Sequence, residues 1–218
     1  PYSEPVDVAT EIERVGPVIA SLAKQVSIPI SIDTSKAAVA KVAIEAGAEI
    51  INDVTGLEGD PGMPEVARQT GAGICVMHMR GTPQTMQDSP QYADVVEEIE
   101  SYLIARRDDC QAKGIEPEKI CLDPGIGFGK THDHNLELVR ATSRFACLGQ
   151  PILIGHSRKG FIKKTLIRSG IDCEVYDPMA GTLGVSIAAA AAGAHVLRIH
   201  DVRQTVEALA TFQACQPR

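Results

Sequence analysis

Six short apolar runs in this chain each end in a burst of polar, chemically capable residues: ISIDTSK (30–36), IINDVTG (50–56), ICVMHMRG (74–81), ICLDPGIGFGK (120–130), ILIGHSRKG (152–160) and VLRIHDV (196–202). Near-continuous β-branched runs are what strands need when both faces are buried. The segments between them carry helical spacing; Ile12, Val15, Val18, Ile19 and Leu22, for example, recur at three- and four-residue steps. The spacing predicts helices over 8–25, 36–46, 63–70, 92–113, 135–144, 161–168, 181–192 and 203–214. Strand, turn and helix in repetition make a parallel sheet covered by helices, either an open doubly wound sheet or a barrel, and periodicity alone does not separate the two. In both, the carboxyl ends of the strands converge on one edge, so the six polar clusters are expected to form one site.

At 218 residues and 44% hydrophobic content the chain suits a single domain over 1–218, and no proline-, glycine- or serine-rich linker interrupts the alternation. A net charge of −7 argues against nucleic acid or an anionic membrane surface as the main partner. No apolar stretch reaches the ~18–20 residues that span a bilayer. The chain opens PYSEPVDVATEIERV, without methionine and without the basic-then-apolar pattern of a signal peptide, which reads as a missing front. Cys75, Cys110, Cys121, Cys147, Cys173 and Cys215 form no CxxC pair and no metal spacing with histidine. They are expected to be buried, reduced thiols of a cytoplasmic protein.

Asp33, Asn52 and Asp123 each follow an apolar run, where a carboxylate or amide is costly unless something bonds to it. A flat heterocycle with an amidine-like edge satisfies them, since carboxylates accept paired N–H donors and asparagine offers one donor and one acceptor. The plainer alternative is that Asp33 caps the helix beginning near Ser35 and that Asn52 and Asp123 close turns. GIGFGK is not a nucleotide motif: Pro124 stands where a P-loop needs its first glycine, and Lys130 where the dinucleotide fingerprint needs its third. It remains a turn that lets backbone approach a ligand, with Phe128 as an apolar face and Lys130 as an anion contact. Ser157, Arg158 and Lys159 fall at a strand-to-helix turn that favours anions, and Lys159 can bond a ring oxygen or nitrogen. Lys163, Lys164 and Arg168 read as a solvated helix face. Arg198 and His200, two apart on a strand, point the same way as a phosphate clamp. His78, His132, His134, His156 and His195 read as satisfied core residues.

Taken in order, SIDTSK, IINDV, VMHM, DPGIGFGK, GHSRKGF and RIHDV resemble the successive motifs of the dihydropteroate synthases, over nearly the whole chain. The resemblance implies a (β/α)8 barrel of the pterin-binding type, here with about six of its eight βα units. It implies condensation of 6-hydroxymethyl-7,8-dihydropterin pyrophosphate with p-aminobenzoate in folate biosynthesis. It implies a pterin slot of Asp33, Asn52, Val54, Met77, Asp123, Gly155 and Lys159, with pyrophosphate on Arg198 and His200. The p-aminobenzoate pocket would be Phe128, Ser157, Lys159 and Gly160, the last standing where some members carry serine. Arg198, His200 and Lys159 are the implied catalytic residues.

The resemblance further implies Mg²⁺ as cofactor, sulfonamides as inhibitors and a homodimer built on late helices. Family members begin with two more strands, which carry an Mg²⁺-binding asparagine and a Ser-Thr-Arg-Pro loop; only Pro1 matches that proline, so no metal residue is assigned. Two alternatives stand beside this reading: a truncated, non-catalytic pterin-binding fragment, and a pterin-dependent methyltransferase domain, a related barrel that lacks an SRKGF-type turn.

Overall fold

Strands and helices alternate as the sequence spacing predicts in this computed structural model, which describes residues 6–82, 84–171 and 177–216. The strands are β1 Ser31–Asp33, β2 Ile50–Asp53, β3 Gly73–Met77, β4 Ile120–Asp123, β5 Leu153–Ile154 and β6 Val196–Leu197. The helices are α1 Val8–Leu22, α2 Ala37–Glu45, α3 Met63–Thr70, α4 Val95–Ala112, α5 His132–Arg140, α6 Thr142–Ala146, α7 Gly160–Arg168, α8 Pro178–Ala191 and α9 Val202–Ala214. β1 to β4 form one parallel sheet in sequence order, β5 and β6 a parallel pair, and a bridge between Leu122 and Ile152 joins the two. The ribbon curves far enough for its ends to touch: Arg198, just past β6, lies 2.6 Å from the Asp33 carboxylate that ends β1. This is the α/β barrel arrangement, with β1 and β6 as its two free edges among the described residues.

Alternation along the strands sorts the side chains onto two faces. Ile32, Ile51, Ile74, Val76, Leu122, Ile152 and Ile154 are buried against the helices and make the core. The inner face differs from the expectation of strands buried on both sides. It opens on a cavity of about 810 Å³ lined by Ser31, Asn52, Cys75, Cys121 and Leu153 from the strands and by Phe212 of α9.

Helix ends follow their local chemistry. Asp94 caps α4 by accepting from the amides of Val96 and Glu97. The helix expected over 135–144 is two: Thr131 starts α5 early through a capping box with His134, and Thr142, whose hydroxyl donates to the Val139 carbonyl, opens the separate turn of α6. Pro178, with its φ already helical and Asp177 as cap, starts α8 three residues before Gly181.

Cysteine and histidine burial divides. Cys75 and Cys110 are buried and Cys121 half-buried, but Cys147 and Cys215 are exposed; Cys173 and Pro1 lie outside the described residues. His78, His132 and His156 are buried. His134 is a half-buried helix cap, and His195 is exposed, with Nδ1 accepting from the Ile152 amide.

Sequence reading passed over one buried carboxylate. Asp53 accepts from the Thr55 amide at 2.8 Å, the Thr55 hydroxyl at 2.7 Å and the Leu57 amide at 3.2 Å, while burial pushes its pKa up. It fixes the turn that leaves β2 with Val54 at its start. Asp53→Ala strands those donors and is expected to cost about 3 kcal/mol in urea unfolding, with Asp53→Asn less damaging.

Candidate active site

The carboxyl edge of the parallel strands gathers the residues singled out in the sequence. Asp33 lies opposite Asn52 in the β1–β2 register, and Met77 opposite Asp123 in β3–β4. Asn52, Met77 and Asp123 are buried, and Val54 is half-buried beside them. Asp33 does not cap α2; the first amide of that helix, Ala37, donates to Asp60 instead. Asp123 does close a turn, one oxygen accepting from the Gly125 amide at 2.7 Å. Burial raises its pKa, against the pull of that hydrogen bond and of the Lys159, Lys130 and Arg198 charges. Gly155 follows β5 between Asp123 and Arg198: a Cβ there would lie 3.9 Å from Asp123 Oδ2 and 3.8 Å from the Arg198 Cβ. No hydrogen bond occupies the Asn52 side-chain amide among the described residues, so its donor and acceptor both stand ready for a ligand.

Lys159 reaches the same edge from the turn before α7. Its ammonium donates to the Ile126 carbonyl and stands 4.4 Å from the centre of the Phe128 ring. Burial brings its pKa down to about 8, with Asp123 opposing the shift. Beyond Lys159 a second cavity, about 730 Å³, is bordered by Phe128, Gly160, Asn135, Gln87 and Lys164. Lys159 borders it too, while its ammonium also feels the Asp123 charge at the strand ends.

Three expectations change. β6 ends at Leu197, so Arg198 and His200 sit on the loop after it rather than on a strand. Each is held separately: Arg198 by Asp33, and His200 by Ser157, whose hydroxyl lies 2.8 Å from Nδ1 and accepts from the His200 amide. Ser157 is therefore buried beneath His200 instead of open to a carboxylate ligand. Lys130 is no surface anion contact; it is buried, with Nζ bonded to the Phe128 carbonyl and to His78. Lys163, Lys164 and Arg168 are exposed on α7 as expected. Sequence reasoning missed His78, Gln87 and Tyr92, which meet the glycine turn from the segment after β3; only the strand-exit position of His78 could have signalled this.

Buried Asp123 and Asn52, half-buried Lys159 and exposed Asp33 thus meet at the carboxyl edge of a parallel α/β strand layer, the arrangement of an α/β-barrel protein with its polar groups at the strand ends. The family model described as pterin binding enzyme matches residues 1–200. The dihydropteroate synthase of Escherichia coli strain K12 is 40% identical over 214 residues, covering 98% of this chain and 74% of that protein. That of Synechocystis is 42% identical over 202 residues, covering 93% and 68%. Among solved structures, the Xanthomonas albilineans enzyme with 4-aminobenzoic acid superposes with a TM-score of 0.89 at 37% identity, covering 100% of this chain and 76% of that one. The Yersinia pestis enzyme in a sulfonamide drug complex gives 0.88 at 38% identity, covering 96% and 74%. The chain belongs to the dihydropteroate synthase family.

The depressed Lys159 pKa has a stability signature. Below about pH 8 both folded and unfolded chains carry the charge and the desolvation penalty is full; from about 8 to 10.5 only the unfolded chain holds the proton, so stability rises with pH. Lys159→Met is expected to be more stable than wild type at pH 7, by about 1–3 kcal/mol, in paired urea melts. The gain should shrink as pH approaches the ordinary lysine range.

Proposed function

We propose that this chain is a dihydropteroate synthase, acting as one pterin-binding barrel domain over residues 1–218. The observation that carries the reading is the meeting of Asp33, Asn52, Asp123 and Lys159, distant in sequence, at one strand-end mouth. In this reading the two carboxylates accept from the amidine-like edge of the pterin, Asn52 pairs with adjoining ring positions, and Lys159 donates to a ring oxygen or nitrogen. Val54, Met77 and Gly155 line the flat slot. Phe128, Lys159 and Gly160 border the p-aminobenzoate pocket, which sulfonamides occupy as mimics, while Ser157 serves the pyrophosphate side by holding His200.

The reaction breaks the C–O bond between the pterin methylene and pyrophosphate, leaving a resonance-stabilised cation. The amine of p-aminobenzoate attacks that carbon, forms the C–N bond and releases a proton. The amine needs no strong base, so rate enhancement lies in stabilising developing charge. The Asp33 and Asp123 carboxylates favour the cationic ring, and Arg198 and His200 receive the departing pyrophosphate. Arg198 spends one guanidinium nitrogen on Asp33 and keeps the rest of its fork; Ser157 holds His200 Nδ1, leaving Nε2 unpaired among the described residues.

Mg²⁺ enters this reading as a companion of the pyrophosphate substrate, with no residue of this chain assigned to hold it. A cytoplasmic location belongs to the same reading; no helix among the described residues is long and apolar enough to cross a membrane. A homodimer through the late helices belongs to the same reading; Ile167 on α7 and Val202 and Val206 on α9 are exposed apolar side chains on those helices.

The test is a turnover assay of this chain beside calorimetry with the pterin substrate. Turnover carries the proposal; pterin binding without turnover favours the non-catalytic fragment, and neither would sink both. Given turnover, Arg198→Ala and His200→Ala are each expected to lower kcat/KM about 10²-fold with little change in KM for p-aminobenzoate. Unchanged rates would remove these two residues from the leaving-group site.

A further inference from the structure

The turn after β4 is gripped at four successive carbonyls, each by a side chain. The Ile126 carbonyl takes the Lys159 ammonium, Gly127 accepts from Gln87 at 2.7 Å, Phe128 from Lys130 at 2.9 Å and Gly129 from the Tyr92 hydroxyl at 2.8 Å. Its amides are used as well: Gly125 donates to Asp123 and Gly127 to Asn135 at 2.6 Å. The turn also lies hard against the segment leaving β3. A Cβ on Gly125 would fall 1.9 Å from the His78 carbonyl oxygen, and one on Gly129 2.4 Å from that of Arg80.

Lys130 is the interior member of this set. It is 3% exposed and forms no ion pair among the described residues, although a buried lysine without a carboxylate is costly. Its Nζ reaches the His78 carbonyl at 3.1 Å and His78 Nδ1 at 2.9 Å as well as the Phe128 carbonyl. An ammonium satisfies all three partners by donating three times. A neutral amine satisfies them too, donating to both carbonyls and accepting from an Nδ1–H tautomer. Burial pushes Lys130 down and brings His78 to about 3, so the imidazole stays neutral. Lys130 thus locks the backbone of Phe128 to the exit of β3, while Lys159 places its charge over the ring of the same residue.

We propose that Lys130 is a positioning residue for the second substrate: its stem borders the same cavity, but its Nζ is turned inward onto His78 and the Phe128 carbonyl, so it acts by fixing Phe128 as a wall of the p-aminobenzoate pocket. This rests on the pocket assignment above. Lys130→Met keeps the length of the stem and removes all three hydrogen bonds. Its expected effect is a rise of about tenfold in KM for p-aminobenzoate with KM for the pterin pyrophosphate little changed, since a small misplacement of a positioning group carries penalties of this order or larger.

A second readout needs no turnover. The chain contains no tryptophan, so Phe128→Trp supplies the sole indole. Adding Lys130→Met should shift its emission to the red and increase acrylamide quenching. If Lys130→Met fails to fold, Lys130→Gln, which retains an amide donor, should give the same pattern at smaller size. An unchanged indole environment overturns the proposal, as does a parallel rise in both KM values or a rise confined to the pterin substrate, which would make Lys130 an anion contact. Absence of turnover in the wild-type chain would count against the functional reading and leave the fluorescence result to decide this one.

Discussion

Every strand among the described residues runs in the same direction, and most of what the molecule does follows from that. Parallel neighbours require a crossover between each pair, so each strand is followed by a helix-bearing excursion and all carboxyl ends fall on one edge. The Arg198–Asp33 contact joins the first strand to the last, but both side chains are about half exposed, and such a pair contributes only about 0–1 kcal/mol. What holds the ribbon in its curve is the aliphatic layer between strands and helices, from Ile51 and Ile74 to Leu122 and Ile154. The weakly held pair is then free for other use: both charges sit at the mouth with little structural energy invested in their mutual contact, so a ligand can compete for either.

Deeper in the site the balance reverses. Asp123 and Lys159 are both pushed by burial toward their neutral forms, and each resists the shift partly because the other is near. Each group's shift is thus a contest between desolvation and the opposite charge beside it, the arrangement found where titratable groups are tuned by their surroundings. A fully solvated pair would be screened; a fully dry one would neutralise. Asp53, one residue past Asn52, shows the contrasting case, with its oxygens consumed by its own turn and nothing left for a ligand.

The strand exits were legible because buried parallel strands leave an unmistakable alternation of apolar run and polar burst, and because cluster order carries family resemblance that no single cluster does. Hydrogen-bond partners were not legible. Whether Lys130 turns outward to an anion or inward to His78 depends on how closely the β3 exit approaches the glycine turn, a contact between segments some fifty residues apart in sequence. Ser157 and His200 are likewise strangers in sequence, and strand periodicity could not reveal that β6 stops before Arg198. Cys147 and Cys215 deceived for another reason: cysteine is a small hydrophobe whose burial depends on its position along a helix face and end, which composition does not report.

The glycine turn ties these points together. Gly125, Gly127 and Gly129 all adopt positive φ, of 70°, 83° and 66°, conformations that glycine takes readily but at a high entropic cost on ordering. Such a segment left to itself would be loose. Here four side chains from three places, Gln87 and Tyr92 after β3, Lys130 at the end of the turn and Lys159 before α7, bond its carbonyls in succession. The order of the turn is thereby made conditional on the order of its neighbours. Lys159 feels the Asp123 charge at the strand ends while its ammonium stands over the Phe128 ring and bonds the Ile126 carbonyl, so a single side chain links the strand-end carboxylate to the backbone that carries the wall of the neighbouring cavity.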